Sequence, residues 1–293
     1  MLAAEALGYV PDLLAASLAS DRSNLVALLV DEFENPHKLV MLERLTRILR
    51  DAGYGTLLVN MLGEAGAPEA LLAASQRRVD AAVLIGTQFD DGIRKTALRA
   101  RRVKQLIVFA RASTAADTIS ICCDDVGAMA EIADYVFAKG FRRPLFLAGP
   151  NTDSTRLMRK DTFLSRWKAL MPGDVQPGIV HVPEYSMALA YRHLLAFLQA
   201  TSNRPDIVVC ENDVLAVGAM DAIRQGLGLL VPQDIAVTGF DDIPLTASPA
   251  YDVTTYRQPI SDMVRALVKV LDERGRGDGD IVLPGKFIIR GSA

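Results

Sequence analysis

From Asn24 to Phe240, short apolar runs alternate with segments of helical period. "LVALLV" (25–30) is continuous and apolar, as a strand buried on both faces would be. The next segment, "NPHKLVMLERLTRILRDAGY", carries Leu39, Leu42, Leu45 and Leu49 at helical spacing, and Gly53 closes it. "GTLLVN" (55–60), "AAVLIG" (81–86), "QLIVFA" (105–110) and "TISIC" (118–122) repeat the strand signal. "PEALLAASQRRV" and "DGIRKTALRARR" supply helical patterns among them. This order predicts an α/β fold, a parallel sheet with helices on both faces. The rhythm then restarts at the helical "GAMAEIADYVFAKGF". Strands "PLFLAG" (144–149), "GIVHV" (178–182), "DIVVC" (206–210) and "DIAVTGF" (234–240) follow, separated by three further helical segments. A helix, "PISDMVRALVKVLDERG", a polar turn, "RGDGD", and a last strand, "KFIIRG", finish the chain and can return to the first unit.

At 293 residues, half of them hydrophobic, the chain suits two domains of about 100–150 residues each. A net charge of −3 gives no global pull toward nucleic acid or an anionic membrane. No apolar run reaches the roughly 18 residues of a membrane span. The N-terminus, with Glu5, Pro11 and Asp12, does not form a secretory signal. A cytoplasmic protein is expected. Cys122, Cys123 and Cys210 read as buried free thiols. His37, His181 and His193 lack metal-ligand spacing, so no metal is expected.

In an open parallel α/β sheet, ligands bind just beyond the carboxyl ends of the strands. That rule selects Asp31, Glu32 and Phe33; Thr87, Gln88 and Phe89; Arg111; and Pro150 and Asn151 before a helix expected to carry Arg156 and Arg159. It also selects Glu184 and Tyr185, then Glu211, Asn212 and Asp213, then Asp241 and Asp242. Carboxylates, an amide, arginines and aromatic rings suit a ligand rich in hydroxyl groups. Plainer roles stand beside this one. Asp213 and Asp241 can cap backbone amides, Arg156 can be a solvated charge, and Phe33, Phe89 and Tyr185 can be core. Catalytic motifs are missing: there is no G-x-S-x-G elbow, and no G-x-x-x-x-G-K-[ST] or G-x-G-x-x-G loop. A Glu211–Asp241 carboxylate pair or an Asp124–Asp125 cation site has little to support it. No enzyme and no cofactor is expected.

"NLVALLVDEFENPHKLVMLERLTRILRDAGYGTLLVN", "GFRRPLFLAGPNTDSTRLMRKDTF", "VVCENDVLAVGAMDAIRQGLGLLVPQDIAVTGFDDIPL" and "VTTYRQPI" come in an order and spacing that resembles the lactose/galactose-repressor family of bacterial transcription regulators. The opening "ALGYVPDLLAASL" is similar to the end of that family's DNA-binding headpiece followed by its hinge helix. The resemblance implies two Rossmann-like lobes of the periplasmic-binding-protein type, joined by three crossovers. Residues 1–22 would be a headpiece remnant and hinge, and the helix-turn-helix itself would precede them. Residues 23–123 with 258–279 would form the N-terminal lobe, and 124–257 with 280–293 the C-terminal lobe. Such cores dimerise, and a small effector between the lobes alters the hinge helices and so the affinity for operator DNA.

Carried over by position, Arg159 matches the family's effector-clamping arginine. Asn212 and Asp241 match its hydroxyl-binding amide and carboxylate. Tyr185 falls where a ring stacks on the ligand, and Gln258 at a crossover position that lines the cleft. The loop after Asn35-Pro36 would contribute His37 and Lys38. Pro11, Leu14 and Leu18 fall in the hinge, with Leu18 at the residue that can wedge into the minor groove. There are departures. His37 and Lys38 replace the usual aromatic residues, which would favour an anionic effector such as a sugar acid. Ala110 replaces a common carboxylate. Asp12 and Ala16 weaken the hinge toward phosphate. A ligand-responsive repressor core is therefore expected, a homodimer binding a sugar, polyol or sugar acid. The alternative is a periplasmic-type sugar-binding protein serving a transporter.

Overall fold

The structure, a computed structural model, describes residues 22–61, 66–86, 103–113, 118–151, 155–171, 173, 176–273 and 279–293. Strands and helices are numbered in chain order. The first sheet is parallel throughout and runs, in space, β2 (Gly55–Asn60), β1 (Leu25–Val30), β3 (Ala81–Ile85), β4 (Gln105–Phe109), β6 (Ile119–Cys123), β13 (Ile281–Leu283). β1 is central and covered on both faces, which is why its sequence is an unbroken apolar run. Helices α1 (Pro36–Asp51) and α7 (Ile260–Asp272) pack on one face, where Met41, Leu45 and Leu49 meet Met263, Val264 and Leu267. Helix α2 (Gly66–Gln76) covers the other face through Leu71 and Ala74.

The start of α1 is specified locally. Asn35 caps it, its side chain accepting the His37 N–H at 3.0 Å, and Pro36 takes the first helical position. Gly53, at φ 85°, ends it in the left-handed conformation. One expectation changes here. Leu39 was assigned to the apolar stripe, yet it is 61% exposed. The stripe on the core is Met41, Leu45 and Leu49, one residue class around the helix.

The second sheet, also parallel, runs β9 (Gly178–His181), β7 (Pro144–Ala148), β10 (Ile207–Cys210), β11 (Ala236–Thr238). Helices α3 (Asp125–Ala138) and α4 (Arg159–Leu170) cover one face around Phe163 and Trp167. Helices α5 (Met187–Ala200) and α6 (Asp213–Asp221) cover the other. α6 is apolar from Val214 to Met220 and buried on every side along that stretch. It lies so close to α5 that a Cβ at Gly218 would come within 2.3 Å of the Met187 carbonyl oxygen.

The chain crosses between lobes three times: after β6, after β12 (Thr255–Arg257), and between β13 and β14 (Lys286–Ile288). The third crossing comes later than the expected boundary at 279/280. Ile281–Leu283 pairs with Ile121–Cys123 at the open edge of the first sheet, and Asp280 accepts the Ser120 N–H at 3.1 Å. "KFIIRG" leaves that sheet, and β14 pairs antiparallel with β12. A short strap of β5 (Ala112–Ser113) and β8 (Thr155–Arg156) also links the lobes. Arg156 therefore lies in β8 and not on the helix that was expected to carry it. Among the described residues, no helix is long and apolar enough to cross a membrane.

Candidate functional site

The carboxyl ends of the strands face each other across a cleft between the lobes, and the second lobe supplies its most ordered wall. Arg159, the first residue of α4, is 3% exposed. Its Nε donates to Asp125 at 3.0 Å, its Nη1 donates to the Glu211 carbonyl at 2.9 Å, and Asp241 Oδ1 lies 3.7 Å away. The guanidinium sits 3.6 Å from the centre of the Phe240 ring. Burial opposes its charge, but the carboxylates of Asp125 and Asp241 outweigh this and push its pKa up. Asp241 is held at φ 114°, and its Oδ1 accepts from Gln258 Nε2 at 2.7 Å. Asn212 caps α6, its Oδ1 accepting the Leu215 N–H at 3.0 Å. Its amide N–H groups remain for the cavity.

The first lobe supplies His37 and Lys38 from the opening turn of α1, and Arg111 from the end of β4. Lys38 Nζ donates to Asp31 Oδ1 at 3.4 Å and to the Ile85 carbonyl at 3.2 Å, with Glu32 at 3.8 Å. Its charge is matched inside the protein. Burial pushes the His37 pKa down; Asp241 opposes this, while Arg159 and Lys38 reinforce it. The ring is therefore neutral. Gln258 Nε2 approaches His37 Nε2 at 3.2 Å, so the ring proton belongs on Nδ1. Among the described residues, His37 Nδ1 and Gln258 Oε1 are both buried without a hydrogen-bond partner. One is a donor and the other an acceptor.

Arg111, Leu157 and Tyr185 divide the cleft into two chambers. The inner one measures about 40 Å³ and is lined by His37, Lys38, Arg111, Arg159, Tyr185, Asn212, Asp241 and Gln258, among others. The outer one, about 230 Å³, is bounded by Gly149, Asn151, Lys160, Asp161 and Glu211 as well as the dividing three. The Tyr185 hydroxyl donates to Glu211 Oε2 at 3.0 Å and accepts from Arg111 Nη2 at 3.3 Å. Burial, then the Glu211 charge, pushes the Tyr185 pKa up, so it remains a hydroxyl. Gly149 makes this packing possible. Its N–H donates to Glu211 at 2.6 Å, and a Cβ there would come within 2.2 Å of the Tyr185 ring.

Eight of the ten expected cleft residues thus line one chamber. Phe33 does not; its ring packs against the core beneath α1 and α7. Phe89, Pro11, Leu14 and Leu18 lie outside the described residues. Asp213 does not cap α6, whose N-cap is Asn212, and does not line either chamber, but it does accept a backbone amide, as its plainer reading had it. It is buried and accepts from Thr255 Oγ1 at 2.6 Å, Ile243 N at 2.8 Å and Thr246 Oγ1 at 3.1 Å, tying α6 to β12 and the loop after β11. Asp124 caps α3 and Asp125 pairs with Arg159, which accounts for that acidic doublet. Glu211 and Asp241 are each held by donors of the protein itself. Glu32 and Glu211, both selected by the strand-end rule, line the chambers as well; Leu157 lines both and was not among the expected residues.

Residues 133–293, more than half the chain, match the model of the periplasmic binding protein-like domain. The chain belongs to that family. Its relatives in the family are transcription regulators. The ribose operon repressor of Escherichia coli (strain K12) is 26% identical over 273 residues, covering 92% of this chain and 80% of the repressor. The crystal structure of a LacI transcriptional regulator from a Rhodococcus species is 25% identical, with a TM-score of 0.80 over 92% of this chain and 98% of that one. The lac repressor dimer bound to operator and the anti-inducer ONPF shares the fold, with a TM-score of 0.81 at 20% identity over 97% of this chain and 99% of that one. The chain is a LacI-family effector-binding core. In this periplasmic binding protein-like core, the cleft between the lobes is where the buried polar side chains converge.

Proposed function

We propose that this is the effector-binding, dimer-forming core of a cytoplasmic LacI-type repressor, and that a small polyhydroxylated effector binds between the lobes and controls operator binding. The observation that carries this is the unpartnered pair, His37 Nδ1 and Gln258 Oε1, set among Arg159, Asn212 and Asp241 where the lobes meet. Similarity to the ribose operon repressor supports a regulatory role. The inner chamber is far smaller than the roughly 300 Å³ at which ligand pockets begin. A sugar is accommodated only if the lobes move apart, so binding and lobe movement are coupled. The strap of β5 and β8 and the three crossings turn that movement into a rotation of one lobe on the other. Residues 22–24 enter β1 at the opposite end of the first lobe, where Asp80 accepts the Asn24 N–H at 2.8 Å and the Ser23 N–H at 3.4 Å. Rotation of the first lobe therefore displaces the segment preceding β1.

Thermal unfolding against a panel of sugars, sugar acids and purines tests the proposal. At least one polyol or sugar acid should raise Tm, and Gln258→Leu should abolish that shift. If nothing in the panel stabilises the protein, the site assignment is wrong.

A further inference from the structure

Three buried cations line the cleft, and among the described residues two of them have a carboxylate within ion-pair distance. Lys38 has Asp31 and Glu32; Arg159 has Asp125 and Asp241. Arg111 is 8% exposed, yet no carboxylate lies within ion-pair distance among the described residues. Its one hydrogen-bond partner there is the Tyr185 hydroxyl, a neutral group. Tyr185 also offers its ring face, 5.7 Å from the guanidinium carbon. A guanidinium has five N–H donors in a fixed fork. Holding that fork in a buried place without a counter-charge is unfavourable, and an arriving anion removes the penalty.

We infer that the effector of this cleft is a polyol carrying a single carboxylate, an aldonic or uronic acid, which Arg111 engages at the constriction between the two chambers. This rests on the cleft being the effector site, as proposed above. Position supports it, because Arg111 lines both chambers and can hold the carboxylate while hydroxyl groups reach His37 and Gln258. The charge count selects one negative charge over two. Among the described residues only Arg111 lacks a carboxylate within ion-pair distance, and the Glu211 carboxylate, one hydroxyl away across Tyr185, already offsets part of its charge and repels a dianion such as a phosphate monoester more than a monoanion. The charge that selects the anion is therefore that of Arg111. Lys38, singled out from the sequence, is already paired.

Calorimetric titration of the whole chain tests this, with D-gluconate and D-galacturonate against D-glucitol and D-galactose, and with D-glucose 6-phosphate as the dianion. At least one acid should bind about ten- to a hundredfold more tightly than its neutral counterpart, the span expected for a hydrogen-bonded charge. Arg111→Met should bring the two to parity without lowering the Tm of the unliganded protein, since it removes an uncompensated charge. Arg111→Lys, which keeps the charge and loses the fork, should retain a smaller preference. Neutral counterparts binding as well as the acids would overturn the inference and leave the effector site standing. So would the phosphate binding best, or the preference surviving in Arg111→Met. Failure of every probe to bind would instead count against the site itself.

Discussion

Arg159 and Arg111 are both buried in the cleft, one rising from the second lobe and the other from the first. Arg159 is surrounded: two carboxylates, a carbonyl and an aromatic face meet it. Among the described residues, Arg111 meets the Tyr185 hydroxyl and ring and no carboxylate within ion-pair distance. The same side chain is thus a structural centre on one wall and an unsatisfied charge on the other. The difference teaches how such a cleft divides its work. The second-lobe wall is held by its own ion pairs, whereas the first-lobe wall, on the proposal above, is completed at Arg111 by the ligand.

The largest effect that could break this comparison is expected from Arg159→Ala. It leaves Asp125 and Asp241 buried without their cation, and loss of one partner from a buried pair costs about 3–5 kcal/mol. Denaturant unfolding should show that loss, together with loss of any ligand response. If Arg159→Ala is as stable as the wild type, the wall is not built around this arginine. Next comes Gly149→Ala. Its Cβ collides with the Tyr185 ring, and overpacking of this kind costs about 1–3 kcal/mol. Because Tyr185 is the neighbour of Arg111, ligand affinity should fall along with stability, which calorimetry on the variant checks.

A subtler effect concerns pH. Burial, then the nearby Asp241, pushes Asp213 up to about 8 from the ordinary 3.8. Between those values the folded protein holds a proton that the unfolded chain has released. Stability should therefore fall as pH rises through that window. Above the ordinary histidine value His37 no longer contributes, since both states are neutral there. Urea unfolding at pH 6.5 and pH 8 should show the decline, and Asp213→Asn should flatten it. An unchanged slope in the variant would place the titration elsewhere. The smallest effect is expected from Arg166→Ala. Arg166 makes two hydrogen bonds to Asp134, at 2.7 and 3.0 Å, but in solvent. Its removal should leave unfolding curves within experimental error. That would show that setting, and not the number of bonds, separates it from Arg159.

Much of this molecule was legible in the sequence. Apolar runs such as "LVALLV" and "PLFLAG" mark parallel strands because both faces of such a sheet are covered. The rule of the strand ends then led to Arg111, Tyr185, Asn212 and Asp241 without knowledge of their contacts. What escaped depends on the third dimension. Leu39 lies two residues before Met41, about 200° away around the helix, and it is the stripe of Met41, Leu45 and Leu49 that faces the sheet. "IVL" at 281–283 is too short to announce a strand, and the open edge of β6 recruits it. Lys38 looked like a free charge because Asp31 lies one loop away, on a different element. The isolation of Arg111 is a property of what surrounds it, which no local pattern contains.

The most direct test is hydrogen–deuterium exchange of the whole chain, with and without a sugar or sugar acid that raises its Tm. Peptides covering the first turn of α1, the Arg111 segment with its strap, and the start of α4 should become more protected together, along with changed exchange at the segment preceding β1. Protection confined to surfaces away from these three, with the cleft peptides unchanged, would contradict the placement of the effector between the lobes.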